Sequence, residues 1–275
     1  VLEEAGIRIP EGLDDPWTKE EFDAALETLG AMDEFDHAIE MTTFYTHEWW
    51  PYGYSPMLQS FGGDLIDRET MLTAEGVLNG PEAVEIGEWF QNLFTGGYAP
   101  PQPADDQGFV SGRIALWYTG SWSAAMVDEA WGDDALYLPP PDLGNGPTIG
   151  AASWQFGVSS TCEHPEGAFE FVMFTMEPEN VALMADTSSL VPTTPDGAAL
   201  TQDYHEDGKF RIFYDLADRF ALIRPPTPGY LIISSSFEQA MLKIRDGGNV
   251  QDALDDAVDA IDRDIEDHDG YGFSD

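Results

Sequence analysis

Apolar positions in this chain fall at helical spacing over several stretches, and Gly and Pro mark the breaks between them. Phe22, Ala25, Leu26 and Leu29 share one helical face, with the capping box Thr18-Lys19-Glu20-Glu21 in front and Gly30 as the stop. Pro81 suits a first helical position ahead of Ala83, Ile86, Phe90 and Leu93, and Gly96-Gly97 ends that run. Two more helical patterns cover about residues 165–175 and 178–186, and Leu254, Val258 and Ile261 form the apolar stripe of a last one between 250 and 265. Ile114 to Tyr118 is β-prone instead. Gly120-Ser121 then turns the chain into a helix through Ala124, Ala125 and Val127, which puts Trp122 at a strand-to-helix junction.

The breaks suggest an organisation. Pro139, Pro140, Pro141, Gly144, Gly146 and Pro147 read as a crossing between domains, a second boundary is expected near Val191-Pro192, and the Pro-rich 224–228 precedes the last helices. Residues 41 to 64 change character, and aromatic density peaks there. Phe44, Tyr45, His47, Trp49, Trp50, Tyr52 and Tyr54 crowd around Pro51 and Gly53, and Gly62-Gly63-Asp64 follows.

With 275 residues, 43% hydrophobic and 12% aromatic, the chain can bury one large core or two modest ones. Charge changes the picture more: 52 acidic residues against 11 basic give a net charge of −41. The lysines are Lys19, Lys209 and Lys243, so no basic patch exists for a nucleic-acid partner. The carboxylates spread along ordinary helices, which predicts a halophilic surface suited to concentrated salt, where the Debye length is about 3 Å at 1 M. Cys162 stands alone, so no disulfide or cysteine-based zinc cluster forms within the chain. No apolar run approaches the ~20 residues that span a bilayer.

Catalytic signatures are missing. There is no G-x-S-x-G elbow and no Walker motif, and Pro51 stands where H-E-x-x-H needs its second His after His47-Glu48. The acid-rich last helix fails as a calcium loop, since counting back from Gly270 puts Ile265 at the first ligand position. No catalytic residue, metal or cofactor is expected. Sugar sites combine flat aromatic platforms with a few carboxylates or amides, and the region from Phe44 to Asp64, with Trp122 and Trp154, offers that mixture. Trp17, Trp89, Trp117 and Trp131 lie in or beside apolar patterns and are expected in the core. Trp50, Tyr52, Trp122 and Trp154 flank Gly, Pro or Ser breaks, where core and cleft are both open readings.

The order of the motifs resembles the family-1 extracellular solute-binding proteins. Leu2-Glu3-Glu4-Ala5-Gly6 and the phrase from Pro16 to Phe22 come first, then the aromatic segment and Gly62-Gly63-Asp64. Phe109, Gly112, Arg113, Ala115 and Leu116 with Gly120 and Trp122 are the most specific part. Leu138-Pro139, Ala151 to Val158, His164 to Ala168, Val191-Pro192, Pro228-x-Tyr230 and Asp252-Ala253-Leu254 complete the series. One departure is Ala152-Ser153, where the family often has two glycines.

The resemblance implies an α/β fold of the type II periplasmic-binding-protein kind, two lobes joined by crossing strands. Residues 1–139 and 193–275 are then expected to form the C-terminal lobe and 140–192 part of an incomplete N-terminal lobe, the family's first-lobe segment being expected before Val1. It further implies ligand contacts at Trp50, Tyr52, Asp64, Trp122, Trp154 and Tyr230. The implied role is a non-enzymatic extracellular receptor, associated with the cell surface through a transporter or an anchor outside this chain. It would close on a sugar or oligosaccharide and deliver it to ABC permease subunits. Two alternatives stay open: a glycoside-processing enzyme, since with 52 acids some carboxylate pair always lies within ~10 Å, or a receptor for a non-sugar ligand such as glycerol phosphate or a polyamine.

Overall fold

The computed structural model describes residues 1–103, 105–151 and 154–273. In chain order the elements are α1 (Lys19–Gly30), β1 (His37–Met41), α2 (Trp49–Phe61), α3 (Pro81–Thr95), β2 (Ile114–Tyr118), α4 (Ala124–Trp131) and β3 (Ile149–Ala151). There follow α5 (Pro165–Thr175), α6 (Pro178–Ser188), the single turn α7 (Pro195–Ala198), α8 (Arg211–Phe220), β4 (Ala221–Ile223), α9 (Tyr230–Arg245) and α10 (Val250–Asp267). They divide into two compact units. The first takes Val1–Thr119, Leu138–Ala151 and Phe220–Asp275; the second takes 120–137 and 152–219. This division groups 120–137 and 193–219 with the second unit and 140–151 with the first, whereas the expectation from sequence placed 120–137 and 193–219 in the C-terminal lobe and 140–151 in the N-terminal one.

The first unit is built on α9 against α10, with α3 and α2 beside α9. The α1 capping box forms as the sequence predicts, Thr18 Oγ1 accepting from the Glu21 N–H and the Glu21 carboxylate accepting from the Thr18 N–H. Phe22, Leu26, Leu29, Tyr54, Phe90, Ile233, Phe237, Ile244 and Ile261 lie in its interior. β1 and β2 pair in parallel with Ile39 opposite Leu116, and β3 pairs in parallel with β4, Gly150 opposite Leu222. The Pro/Gly-rich stretch after 138 is pinned in this unit: Asp142 N–H donates to the Trp17 carbonyl at 2.8 Å and Leu143 N–H to Ser60 Oγ at 3.0 Å.

Gly87, in the middle of α3, is what lets α10 approach. A Cβ there would sit 2.6 Å from Cγ1 of Val250, a β-branched side chain with little freedom to turn away. Gly87→Leu is therefore expected to destabilise the unit by about 1–3 kcal/mol through overpacking. Chemical denaturation checks it; a variant as stable as the parent would mean that α3 and α10 are not in this contact.

In the second unit, Ala124, Ala185, Tyr204 and Phe210 form a small core against which Tyr137, Val191, Phe213 and Tyr214 pack. α5 buries none of its residues. Phe169, Phe171, Met173 and Phe174 are more than half exposed, as is Leu183 on α6.

The aromatic segment, to which the sequence reading assigned no element, is the helix α2. Pro51 lies in its first turn, where the backbone N–H groups have no intrahelical partner to lose, and Gly53 makes way for the Trp49 ring, which a Cβ would meet at 2.9 Å. Trp131 is not a core residue: it ends α4 with 38% of its surface exposed, because Gly132 turns the chain away there with φ 51°. Trp17 is buried as expected. Trp89 and Trp117 are partly buried, their indole N–H groups donating to Asp23 at 2.7 Å and to Thr42 Oγ1 at 3.1 Å.

Candidate ligand-binding site

β1 leads through Thr42 and Thr43 to a corner at His47, whose φ of 57° is the left-handed region that few residues other than Gly adopt. Glu48 follows that corner and stands immediately before α2. Tyr230, Ser234 and Glu238 recur at four-residue spacing, so they form one stripe along α9, and this stripe faces the corner. Tyr230 donates its hydroxyl to Glu48 Oε1 at 2.7 Å, and Ser234 donates to Glu48 Oε2 at 3.1 Å. Glu238 Oε1 accepts the His47 backbone N–H at 2.6 Å.

Arg224 completes the group from the end of β4. Its guanidinium donates to Glu48 Oε1 and lies 5.6 Å from the Tyr52 ring centre and 5.8 Å from that of Tyr230. The strand pair that carries it is seated on α2 at Tyr52, where Gly150 of β3 comes so close that no Cβ would fit. Burial raises the pKa of both phenols; for Tyr230 the hydrogen bond to Glu48 adds to it, with Arg224 opposing in each case. Both therefore keep their protons near neutral pH and act as hydrogen-bond donors. Phe44 and Tyr45 stand exposed beside the corner, their rings 4.6 Å apart, and Tyr45 meets Trp49 edge-on at 5.5 Å. The Glu48 side chain keeps 46% of its surface open.

Among the residues expected from sequence, Tyr52 and Tyr230 come together here. Trp50 is fully buried behind them: its indole N–H donates to the Tyr45 carbonyl at 3.1 Å, and its ring packs on Tyr54 with Arg245 at 6.0 Å, so it offers no surface to a ligand. Asp64 reaches the group only through others. It accepts from Gln59, the Leu65 N–H and Arg68, and Arg68 in turn donates to the Ile223 carbonyl at 2.7 Å, next to Arg224. Trp122 and Trp154 belong to the second unit. Trp122 is partly buried in a short turn, its ring folded against Gly120, and Trp154 is 90% exposed. Ala152-Ser153, the departure from the family pattern, lies outside the described residues. Glu48, Arg224 and Ser234 were not foreseen. The only local hint was His47-Glu48 inside the aromatic segment.

The arrangement offers a half-open carboxylate, a guanidinium, phenol donors and aromatic faces within one unit. A carboxylate accepts from a ligand hydroxyl and an Arg beside it donates to the next, while rings cover C–H faces. Among the described residues no three His, Cys, Asp or Glu side chains gather to hold a metal ion, and no helix is long and apolar enough to cross a membrane.

A family model described as bacterial extracellular solute-binding protein matches residues 1–212. A search of curated proteins returns no match. Among solved structures, the chain is similar to the GacH receptor of Streptomyces glaucescens, studied unliganded and with acarbose, at TM-score 0.77 and 19% identity over 97% of this chain and 67% of that one. It is similar to an ABC transporter solute-binding protein from Thermotoga lettingae bound with α-D-tagatose, at TM-score 0.76 and 19% identity over 95% and 67%. An extracellular solute-binding protein from Staphylococcus aureus in complex with maltose matches at TM-score 0.66 and 20% identity over 91% and 65%. The fold is thus the α/β fold of type II periplasmic binding proteins, and the chain spans about two thirds of the length of these neighbours.

Proposed function

Because the chain belongs to the bacterial extracellular solute-binding protein family, we propose that it is a carbohydrate receptor of an ABC importer and that the group around Glu48 is one of its ligand-binding faces. The observation that carries the reading is the convergence of Glu48, Arg224, Tyr230 and Ser234 beside the Tyr52 ring. The three neighbours described above are named with sugars or a sugar mimic, and a neutral polyhydroxylated ligand suits a site in which the Glu48 carboxylate is already paired with the Arg224 guanidinium. Trp122 and Trp154, expected as ligand contacts from the resemblance, stay proposals for the second unit taken by itself. The assignment of 1–139 with 193–275 and of 140–192 to separate lobes stays a proposal alongside. Binding without bond cleavage, delivery to permease subunits and attachment at the cell surface follow from the family role.

A thermal-shift screen in molar KCl tests this with maltose, tagatose, acarbose, glycerol phosphate and a polyamine as probes. A saturable rise in melting temperature with a sugar, and no product on incubation with oligosaccharides, is the expected result. A rise with glycerol phosphate or polyamine alone would move the ligand class, and turnover of an oligosaccharide would make the protein an enzyme.

A further inference from the structure

Away from Glu48, the first unit holds a second carboxylate in an unusual setting. Glu40 lies in β1 between Ile39 and Met41, a strand buried on both faces from Ala38 onward, so its side chain is forced inward. It is 0% exposed, and among the described residues neither carboxyl oxygen has a hydrogen-bond partner. It forms part of the wall of a pocket of about 410 Å³ that Asp36, His37, Asp105, Gly108 and Arg113 also line.

The cover over Glu40 is the turn at 107–114. Ser111 N–H donates to the Gln107 carbonyl at 2.9 Å, and the Arg113 and Ile114 N–H groups both donate to the Gly108 carbonyl, at 3.0 and 3.1 Å. Gly108 lies so close to Glu40 Oε2 that no Cβ would fit between them. Phe109 of the same turn packs on Trp117 of β2 at 6.2 Å. Arg113, which lines the pocket, is committed elsewhere: it donates to Ser111 Oγ at 3.0 Å and to Asp105 at 3.1 Å, not to Glu40. An ionised carboxylate buried in this way has no donor among the described residues to stabilise it.

We propose that Glu40 is a proton-held latch: the turn at 107–114 closes most tightly over the protonated carboxyl and opens to water more often once the proton is lost. The surrounding charges agree. Burial first, then Asp105 and Asp106, push the Glu40 carboxyl up to about 7, with Arg113 opposing. Asp36, just before β1, and His37 at its start face the pocket, His37 Nδ1 lying 3.0 Å from the Gly97 carbonyl; β2 contributes the apolar Ile114, and the buried Tyr54 phenol of α2 lies within electrostatic reach of Glu40. The closed form holds its proton up to about pH 7 and the open form only up to the ordinary carboxylate range. Protons are therefore lost on opening between those two limits, and closure weakens as pH rises through that window and levels off above it.

Hydrogen exchange of the Arg113 and Ile114 amides in constant molar KCl tests the latch, after correction for the intrinsic pH dependence of exchange. The parent should show an opening constant that rises by up to about tenfold per pH unit within the window and then flattens. Glu40→Gln, which keeps the shape of the neutral acid, should stay closed and pH-independent, and His37→Gln should behave as the parent. Should Glu40→Gln not fold, infrared spectroscopy of the parent gives a second reading: a protonated-carboxyl band that persists to near neutral pH and fades over the same window. Equal pH dependence in the parent and Glu40→Gln, or a parent with no such band, overturns the proposal. So does protection restored specifically by calcium or potassium at constant ionic strength, which would make Glu40 a cation ligand.

Discussion

At millimolar KCl this chain is expected to lose its fold, and to regain it as the salt is brought to molar concentration. Eleven basic residues can neutralise only about a fifth of the charge of the 52 carboxylates, and the pairs that form are mostly at the surface, such as Arg8 with Asp15 and Glu21 or Lys243 with Asp256. The rest repel one another. On α10, Asp252, Asp255, Asp256 and Asp259 fall within about two turns, and like charges four apart on a helix cost roughly 0.2–0.5 kcal/mol each. Individually these costs are small, but a charge of −41 sums them over distances that only salt cuts short, since the Debye length drops from about 30 Å at 0.01 M to about 3 Å at 1 M. Far-UV circular dichroism during a KCl titration checks the expectation, with sucrose as a control that stabilises compact states without screening. A melting temperature that stays flat or rises as KCl is withdrawn would show that the acidic surface is not an adaptation to salt.

Glu48→Leu should have the largest effect of any single substitution on ligand binding. It removes the acceptor shared by Arg224, Tyr230 and Ser234, leaving a partly buried guanidinium and a phenol donor without the partner that orients them. Unsatisfied groups of this kind cost roughly 1–3 kcal/mol each, more when charged, so a loss of about 2–4 kcal/mol is expected, roughly 30- to 800-fold in Kd. Glu48→Gln keeps one acceptor oxygen and should lose less. Calorimetry with whichever sugar the thermal-shift screen identifies, on variants shown to be folded, gives the comparison. Parent-like affinity in Glu48→Leu would move the site away from this corner, with Trp122 the next residue to test.

Much of the helical framework was legible in the residues alone. The capping box of α1, the Pro-led starts of α3, α5 and α6 and the stripe of α10 are local signals, and local hydrogen bonding and side-chain spacing realise them. The segment from 49 to 61 was not legible as a helix because Pro and Gly usually end helices, yet Pro51 falls where a helix has no bond to lose and Gly53 yields to a neighbouring ring. Trp50 misled for the same reason: position beside a Pro suggested a cleft, while the turn of the helix carries its ring into the core.

By itself the sequence determined which faces are apolar, how the acidic charge is spread, and a motif order that places the chain in its family. Only the tertiary structure decided that Glu48 meets Arg224 and Tyr230, residues 176 and 182 positions away, and that Glu40 is buried without a partner among the described residues, under a turn that begins at 107. Periodicity records how each residue sits on its own helix or strand. Which distant side chains then share a polar site depends on how strands such as β3 and β4 pair and where they dock, and no local spacing encodes that.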